Sequence, residues 1–330
     1  MRAIPPGLLY GIIWREEEMT LPNFAYFRGK IVPYDQAKVG VLTHTLNYGT
    51  GVFGGLRAYW NEADKQLYLF RPLDHFQRFL NSARLLCMEL PHTPEKLTEV
   101  TVELLRKEAR SEDTYVRPLA FVPDEQIGVR LHDLHSDISI VSIPTGRYIE
   151  SEEGSSATFS SWRRIDDNSI PARGKIIGSY VNSAFIKTDA IRAGYEEAIV
   201  LNADGHISEG SAENFFMVRG GVLVTPPVTD NILEGITRRT VIQLAREELG
   251  MTVVERPIDR TEVYLAEEAF FCGTGVQICA ISNIDKRPVA DGKMGPFVGK
   301  LRDLYFRIVR GMEPKFRAWN VPIYPGPLNG

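Results

Sequence analysis

The feature that most constrains this chain is a break near its middle. The run Asp137–Pro144 (DISIVSIP) reads as a buried strand, and the ten residues after it, TGRYIESEEG at 145–154, are polar and bounded by glycine. Such a stretch is a natural linker, so the chain predicts two folded units instead of one continuous core. A length of 330 residues agrees with that division. The expected organisation is an extension over 1–20, a smaller N-terminal domain over 21–145, an interdomain loop over 146–154, a larger domain over 155–312 and a tail over 313–330. The tail has four prolines and no periodicity, which predicts loose surface chain.

Within the first half, short strand-like runs alternate with two helical patterns. Phe76, Phe79, Leu80, Ala83, Leu86 and Cys87 recur at helical spacing, and Leu97, Thr101, Leu104 and Leu105 repeat the pattern after Thr93-Pro94, where proline suits the first helical position. That combination predicts an α+β unit. The second half opens with strand-like Ala157–Trp162 and then shows two hairpin signals, around Asp204-Gly205 and Gly220-Gly221. A helical stretch runs from Val181 to Ala193. The clearest helix spans Ile236–Leu249, with Val241, Leu244, Ala245 and Leu249 on one face and Gly250 as its stop. The fold class expected is therefore α/β in the broad sense, an α+β domain followed by a larger, β-rich α/β domain.

Composition narrows the function classes. Hydrophobic residues at 44% and charged ones at 24% are ordinary for a folded globular chain. A net charge of -4, without a Lys/Arg run to counter it, argues against nucleic-acid partners. Cys87, Cys272 and Cys279 are odd in number and lack metal-ligand spacing, so neither a disulfide framework nor a metal site is expected. The apolar stretch Gly7–Trp14 is too short to span a bilayer and lacks the order of an export signal, which points to a cytoplasmic protein and no membrane partner.

Chemistry-bearing candidates lie mainly in the second half. Lys175 sits in PARGK at 171–175, five residues before Tyr180, and Glu209 lies in ISEG at 207–210. Gly235-Ile236-Thr237 opens the clearest helix, and helix N-termini supply N–H groups and a dipole for phosphate. Gly273-Thr274 offers a second Gly-Thr nest. Each of these is common alone; a lone lysine is ordinarily a solvated cation.

Their ordered ensemble is specific. SYVNSAFIKTDAIRAGYEEAIVLNADGHISEGSAENFFMVRGGVLVTPP, then ILEGITRR, then FFCGTG, together with LNYGTGVFGGLRAY, HFQRFLNSA and TYVRPL in the first half, resembles the fold-type IV aminotransferases that use pyridoxal 5'-phosphate. The resemblance covers roughly residues 25–310 and is closest to the branched-chain amino acid aminotransferases. It implies that Lys175 holds the cofactor as a Schiff base and acts as the base at Cα. Lys187 is the other candidate, but it falls within the helical stretch, and the family's lysine-to-tyrosine spacing favours Lys175. It further implies that Glu209 pairs with the pyridine nitrogen, that Tyr180 bonds the cofactor phenolate oxygen, and that Arg78, Gly235, Ile236, Thr237, Gly273 and Thr274 receive the phosphate.

The resemblance also implies a substrate pocket of Tyr48, Phe53, Gly55, Val129, Tyr148 and Tyr180, with Tyr48 and Val129 reaching from a neighbouring subunit. Tyr115, Arg57, Gly275 and Val276 would hold the α-carboxylate and Arg117 the γ-carboxylate of glutamate, an arginine fork suiting a carboxylate. The cofactor would lie between the domains, with the linker near Tyr148 as part of a lid. Partners implied are amino acids, 2-oxo acids and a second copy of the chain, as a homodimer or a hexamer of dimers. The reaction implied is transamination of Leu, Ile or Val with 2-oxoglutarate. Rival readings are a D-amino acid or (R)-amine aminotransferase, an aminodeoxychorismate lyase, or a cofactor-free scaffold of the same fold. One departure stands out: Phe53-Gly54-Gly55 replaces the family's usual Phe-Glu-Gly, which predicts a looser pocket.

Overall fold

The computed structural model describes residues 21–145 and 154–325, so the extension, most of the expected linker with Tyr148, and residues 326–330 lie outside the described chain. The described chain divides into two compact units. One gathers residues 21–145, 174–178 and 305–325, the other residues 154–173 and 179–304.

The first unit is built on an eight-stranded sheet. Its strands from the N-terminal half are β1 (Phe24–Phe27), β2 (Lys30–Pro33), β3 (Gly51–Phe53), β4 (Leu56–Asn61), β5 (Gln66–Phe70), β6 (Thr114–Phe121) and β7 (Asp137–Pro144). A short helix α1 (His44–Tyr48) precedes β3, while α2 (Pro72–Leu85) carries the first expected helical pattern as far as Ala83, with Leu86 and the exposed Cys87 beyond its end, and α3 (Pro94–Glu108) carries the second. Proline opens both helices. In α3 the Thr93 side chain accepts from Lys96 N, an N-cap that satisfies one orphan donor. Phe76, Phe79 and Ala83 on α2 and Leu97, Leu104 and Leu105 on α3 are buried, as the 3.6-residue period requires. Strand β7 is the expected buried strand and pairs along its whole length with β6.

The second unit carries a nine-stranded sheet: β8 (Ser155–Arg163), β9 (Glu197–Leu201), β10 (Ile207–Gly210), β11 (Asn214–Arg219), β12 (Val222–Thr225), β13 (Val253–Glu255), β14 (Glu268–Gly273), β15 (Gln277–Ile284) and β16 (Arg287–Pro288). Both hairpins form as expected. Gly205 (φ 94°) turns β9 into β10, and Gly220 and Gly221 (φ 59° and 69°) turn β11 into β12, left-handed backbone that glycine adopts without a Cβ clash. Helix α4 (Tyr180–Arg192) is the crossover that makes β8 and β9 parallel. Helix α5 (Ile236–Glu247) ends before Gly250 (φ 63°). The core joins Phe215, Met217 and Phe271 to Ile199, Ile207, Ile258 and Ile281.

Helix α6 (Pro296–Val309) leads into a segment that differs from the loose tail expected over 313–330. Pro314–Trp319 forms a 3-10 helix, and β17 (Asn320–Pro322) adds antiparallel to β5 as the edge strand of the first sheet. Phe316 and Ile323 are buried, and Arg71 stacks over the Trp319 ring at 4.7 Å. Proline is tolerated at a helix start and on a sheet edge, so the prolines that suggested a surface tail are compatible with packing, and three residues of strand are too few to show a period.

The Lys175 segment also departs from the expected domain over 155–312, because residues 174–178 pack in the first unit. Phe53 N donates to Lys175 O at 3.0 Å, and Ile176 bridges to Val52. Buried Ile176 provides the apolar contact that such a short detour needs.

Candidate active site

In the first unit the candidates converge on one ring. The Lys175 ammonium nitrogen lies 4.9 Å from the Phe53 centroid, and the Arg117 guanidinium carbon lies 4.5 Å from it. Arg117 Nη2 donates to the Tyr115 hydroxyl at 3.0 Å. The two-residue period of β6 puts Tyr115 and Arg117 on its open face while Val116 and Pro118 face the core. Register places Arg57 on β4 directly opposite Tyr115. Arg57 is buried, and its Nη2 donates to Thr145 Oγ1 at 3.1 Å.

Two glycines shape this surface. A Cβ on Gly55 would stand 2.3 Å from the Tyr115 hydroxyl oxygen, so the close approach of that phenol requires glycine there. At Gly54 a Cβ would meet Pro118 Cγ at 2.5 Å. The departure at Gly54 is therefore matched by a proline packed against it, and Gly54 N donates to Pro118 O at 2.8 Å.

A residue the sequence reading missed ties the Lys175 backbone to α2, the helix that carries Arg78. The buried Ser82 hydroxyl donates to Arg78 O at 2.9 Å and accepts from Lys175 N at 3.2 Å. A serine on the apolar face of α2, between Phe79 and Ala83, was the legible sign. Tyr48 ends α1, and its hydroxyl accepts from Gly128 N at 3.1 Å while His44 Nε2 contacts Gly128 O at 2.9 Å. The loop thus pinned leaves Val129 86% exposed.

In the second unit, Glu209 on β10 is 2% exposed and ion-paired with Arg164 at 2.5 Å. Its other oxygen accepts from Asn214 Nδ2 at 2.8 Å and from Leu233 N at 3.3 Å. A buried carboxylate needs this countercharge and these donors. Neither Arg164 nor Asn214 was singled out in the sequence, since their value lies in contacts across strands. Gly235 caps α5 with extended backbone and no side-chain bond, and a Cβ there would reach within 2.1 Å of Asn214 Oδ1. Ile236 and Thr237 are the first helical residues, and Thr237 is buried. Gly273, Thr274, Gly275 and Val276 form the turn between β14 and β15, where Gly275 is exposed and Val276 buried. Tyr180 is the first residue of α4.

Lys187 is held elsewhere. Its amine donates to Glu197 and to Glu196 O, both at 2.6 Å. Burial alone would lower this amine, but Glu197 and Glu213 more than offset it and shift it upward. Lys187 is thus engaged in an ion pair with the buried Glu197. Among the described residues no His/Cys/Asp/Glu group could hold a metal ion, and no helix is long and apolar enough to cross a membrane.

Residues 51–284 match the family amino-transferase class IV. A probable branched-chain-amino-acid aminotransferase of Aquifex aeolicus is 45% identical over 92% of this chain and 97% of its own. Among solved structures, the branched-chain aminotransferase of Thermoproteus uzoniensis with norvaline superposes with a TM-score of 0.88 at 44% identity, covering 92% of this chain and all of that one. The branched-chain amino acid aminotransferase of Thermobaculum terrenum in its PLP form gives 0.89 at 37% identity, covering 92% of this chain and 99% of that one. The chain belongs to the class IV aminotransferases and, within them, to the branched-chain amino acid aminotransferases.

Proposed function

We infer that this protein is a pyridoxal 5'-phosphate-dependent aminotransferase acting on branched-chain L-amino acids, with 2-oxoglutarate as the amino acceptor. The observation that carries the reading is the Phe53 ring with Lys175 on it at 4.9 Å and Arg117 at 4.5 Å. An aromatic face suits a branched alkyl group, and the same face bordered by a guanidinium suits a side chain ending in carboxylate. One pocket thereby serves two unlike substrates, as transamination in two half-reactions demands.

The residues fit the cofactor. Glu209, anionic beside Arg164, matches a pyridine nitrogen that must stay protonated, and the start of α5, where the cap supplies no side-chain oxygen, matches a phosphate. When bound, pyridoxal phosphate supplies the aldehyde that takes up the amino group and a ring that accepts the electron pair left at Cα. Lys175 Nζ takes the proton from substrate Cα. Arg78, Gly235, Ile236, Thr237, Gly273 and Thr274 hold the phosphate, and Tyr180 donates to the phenolate oxygen. Tyr115, Arg57, Gly275 and Val276 orient the α-carboxylate, and Phe53 and Gly55 border the side chain, with Tyr48 and Val129 reaching in from the neighbouring subunit.

The assembly proposed is a homodimer in the cytoplasm. Val41, Leu42 and Leu46 beside α1, with Ile127 and Val129 on the loop pinned to it, leave an apolar strip exposed, which a second copy would cover. The test of function is the cofactor's visible absorption with L-leucine alone, then with D-alanine alone. Conversion by L-leucine supports the reading; conversion by D-alanine only overturns the substrate assignment.

A further inference from the structure

Behind Glu209 lies a second cluster of ionisable groups that the reaction above does not use. Glu197 on β9 is buried and ion-paired with Lys187 on α4, and its other oxygen accepts from Ala198 N at 2.8 Å and Ser211 N at 3.3 Å. Glu213 stands at the end of the turn between β10 and β11, where the charges of Glu197 and Lys187 both act on its carboxyl. Its Oε2 also accepts from Ala212 N at 3.0 Å, and its own carbonyl accepts from Gly210 N at 2.6 Å, closing the turn.

Two glycines show where the Glu213 side chain runs. A Cβ on Gly210 would come within 3.0 Å of its Oε2, and a Cβ on Gly273 would stand 3.9 Å from its Cγ. The side chain therefore lies against both Gly210, next to Glu209, and Gly273, at the Gly-Thr turn. The residue after it, Asn214, donates to Glu209.

We propose that Glu213 is a positioning residue: bonded to Ala212 N and Gly210 N and lying along Gly210 and Gly273, it holds the 210–213 turn in place and so sets Asn214, the Glu209 carboxylate and the Gly-Thr turn together. The inference rests on the functional reading above for the roles of Glu209 and Gly273. A carboxyl that feels the charge of a second, buried carboxylate holds its proton more tightly. Burial first, and then the charge of Glu197, push the Glu213 carboxyl up to about 8, with Lys187 opposing. The other groups facing it are Cys272 on β14 and Cys279 on β15, both pushed upward by burial, with the Glu196 carboxylate near Cys279 and the Arg238 guanidinium and Glu209 near Cys272. Once the proton leaves, the two carboxylates repel and the turn is loosened.

The sign follows from the unfolded value of 4.5. Between 4.5 and about 8 the folded chain binds a proton that the unfolded chain releases, so stability falls as pH rises through that window.

The test compares wild type with Glu213→Gln, whose amide keeps the shape and an acceptor for Ala212 N but cannot ionise. Thermal unfolding of the cofactor-free proteins gives the first readout. Wild type should lose stability relative to the variant on passing from about pH 5 to about pH 9, and parallel curves overturn the tightly held proton. The second readout is the bound cofactor's absorption and kcat/KM with L-leucine against pH. An ionisation near 8 should weaken the wild type on the alkaline side and be missing in the variant, by about threefold or more at pH 9. Superimposable profiles overturn the positioning role even if the stability curves differ. The substrate-free absorption profile decides this independently of whether L-leucine is the substrate, so failure of the functional reading is seen separately as wild type that binds cofactor yet does not respond to L-leucine.

Discussion

Replacing Gly55 with alanine tests the substrate side of the site with little risk to the fold. The added Cβ would lie 2.3 Å from the Tyr115 hydroxyl oxygen, where an ordinary contact needs about 3.4 Å or more. The phenol must retreat by about 1 Å, taking its oxygen from 3.0 Å to about 4 Å from Arg117 Nη2, beyond hydrogen-bond range. The clash is with the tip of a side chain on the open face of β6, so the stability cost should stay below about 1 kcal/mol, a shift in Tm of about 3 °C or less. The lost bond is worth about 0.5–1.5 kcal/mol, or about two- to tenfold in the KM for 2-oxoglutarate. Steady-state kinetics with L-leucine fixed and 2-oxoglutarate varied would read this directly. An unchanged KM with an unchanged Tm would refute the argument that the bond between Arg117 and Tyr115 contributes to binding the acceptor.

Glu209→Gln leaves Arg164 without its countercharge, and removing one partner of a buried pair costs about 3–5 kcal/mol; we expect both a lower Tm and a loss of kcat of at least about a hundredfold. Lys175→Ala should abolish the spectral response to L-leucine, whereas Lys187→Gln should retain it while destabilising the fold through unpaired Glu197; the opposite pattern would reverse the lysine assignment. Truncation after Glu313 removes buried Phe316 and Ile323, each worth about 1.5–3 kcal/mol, and uncovers the β5 edge. Aggregation or a markedly lower Tm is expected, and an unaffected Tm would show that the segment is dispensable. Arg117→Ala should impair 2-oxoglutarate far more than the branched oxo acids, measured as the ratio of their kcat/KM values.

The sequence alone determined the local architecture. Helices α2, α3 and α5 follow from apolar periods with proline at two starts and Gly250 after α5, and both hairpins follow from glycines whose positive φ only a turn requires. It also determined the family, because Lys175, Tyr180, Glu209, Gly235-Ile236-Thr237 and Gly273-Thr274 stand in a characteristic order. What only the tertiary structure decided are contacts between residues far apart in the chain. Ser82 meets Lys175 across 93 positions, and Arg164 meets Glu209 across strands. The edge strand at 320–322 joins β5, and Lys187 on α4 meets Glu197 on β9. Propensity and periodicity describe how a segment satisfies its own backbone and which face it buries. Which charge meets which inside a low-dielectric interior is settled only when distant segments pack, because the cost of an unpaired buried group is felt nowhere else.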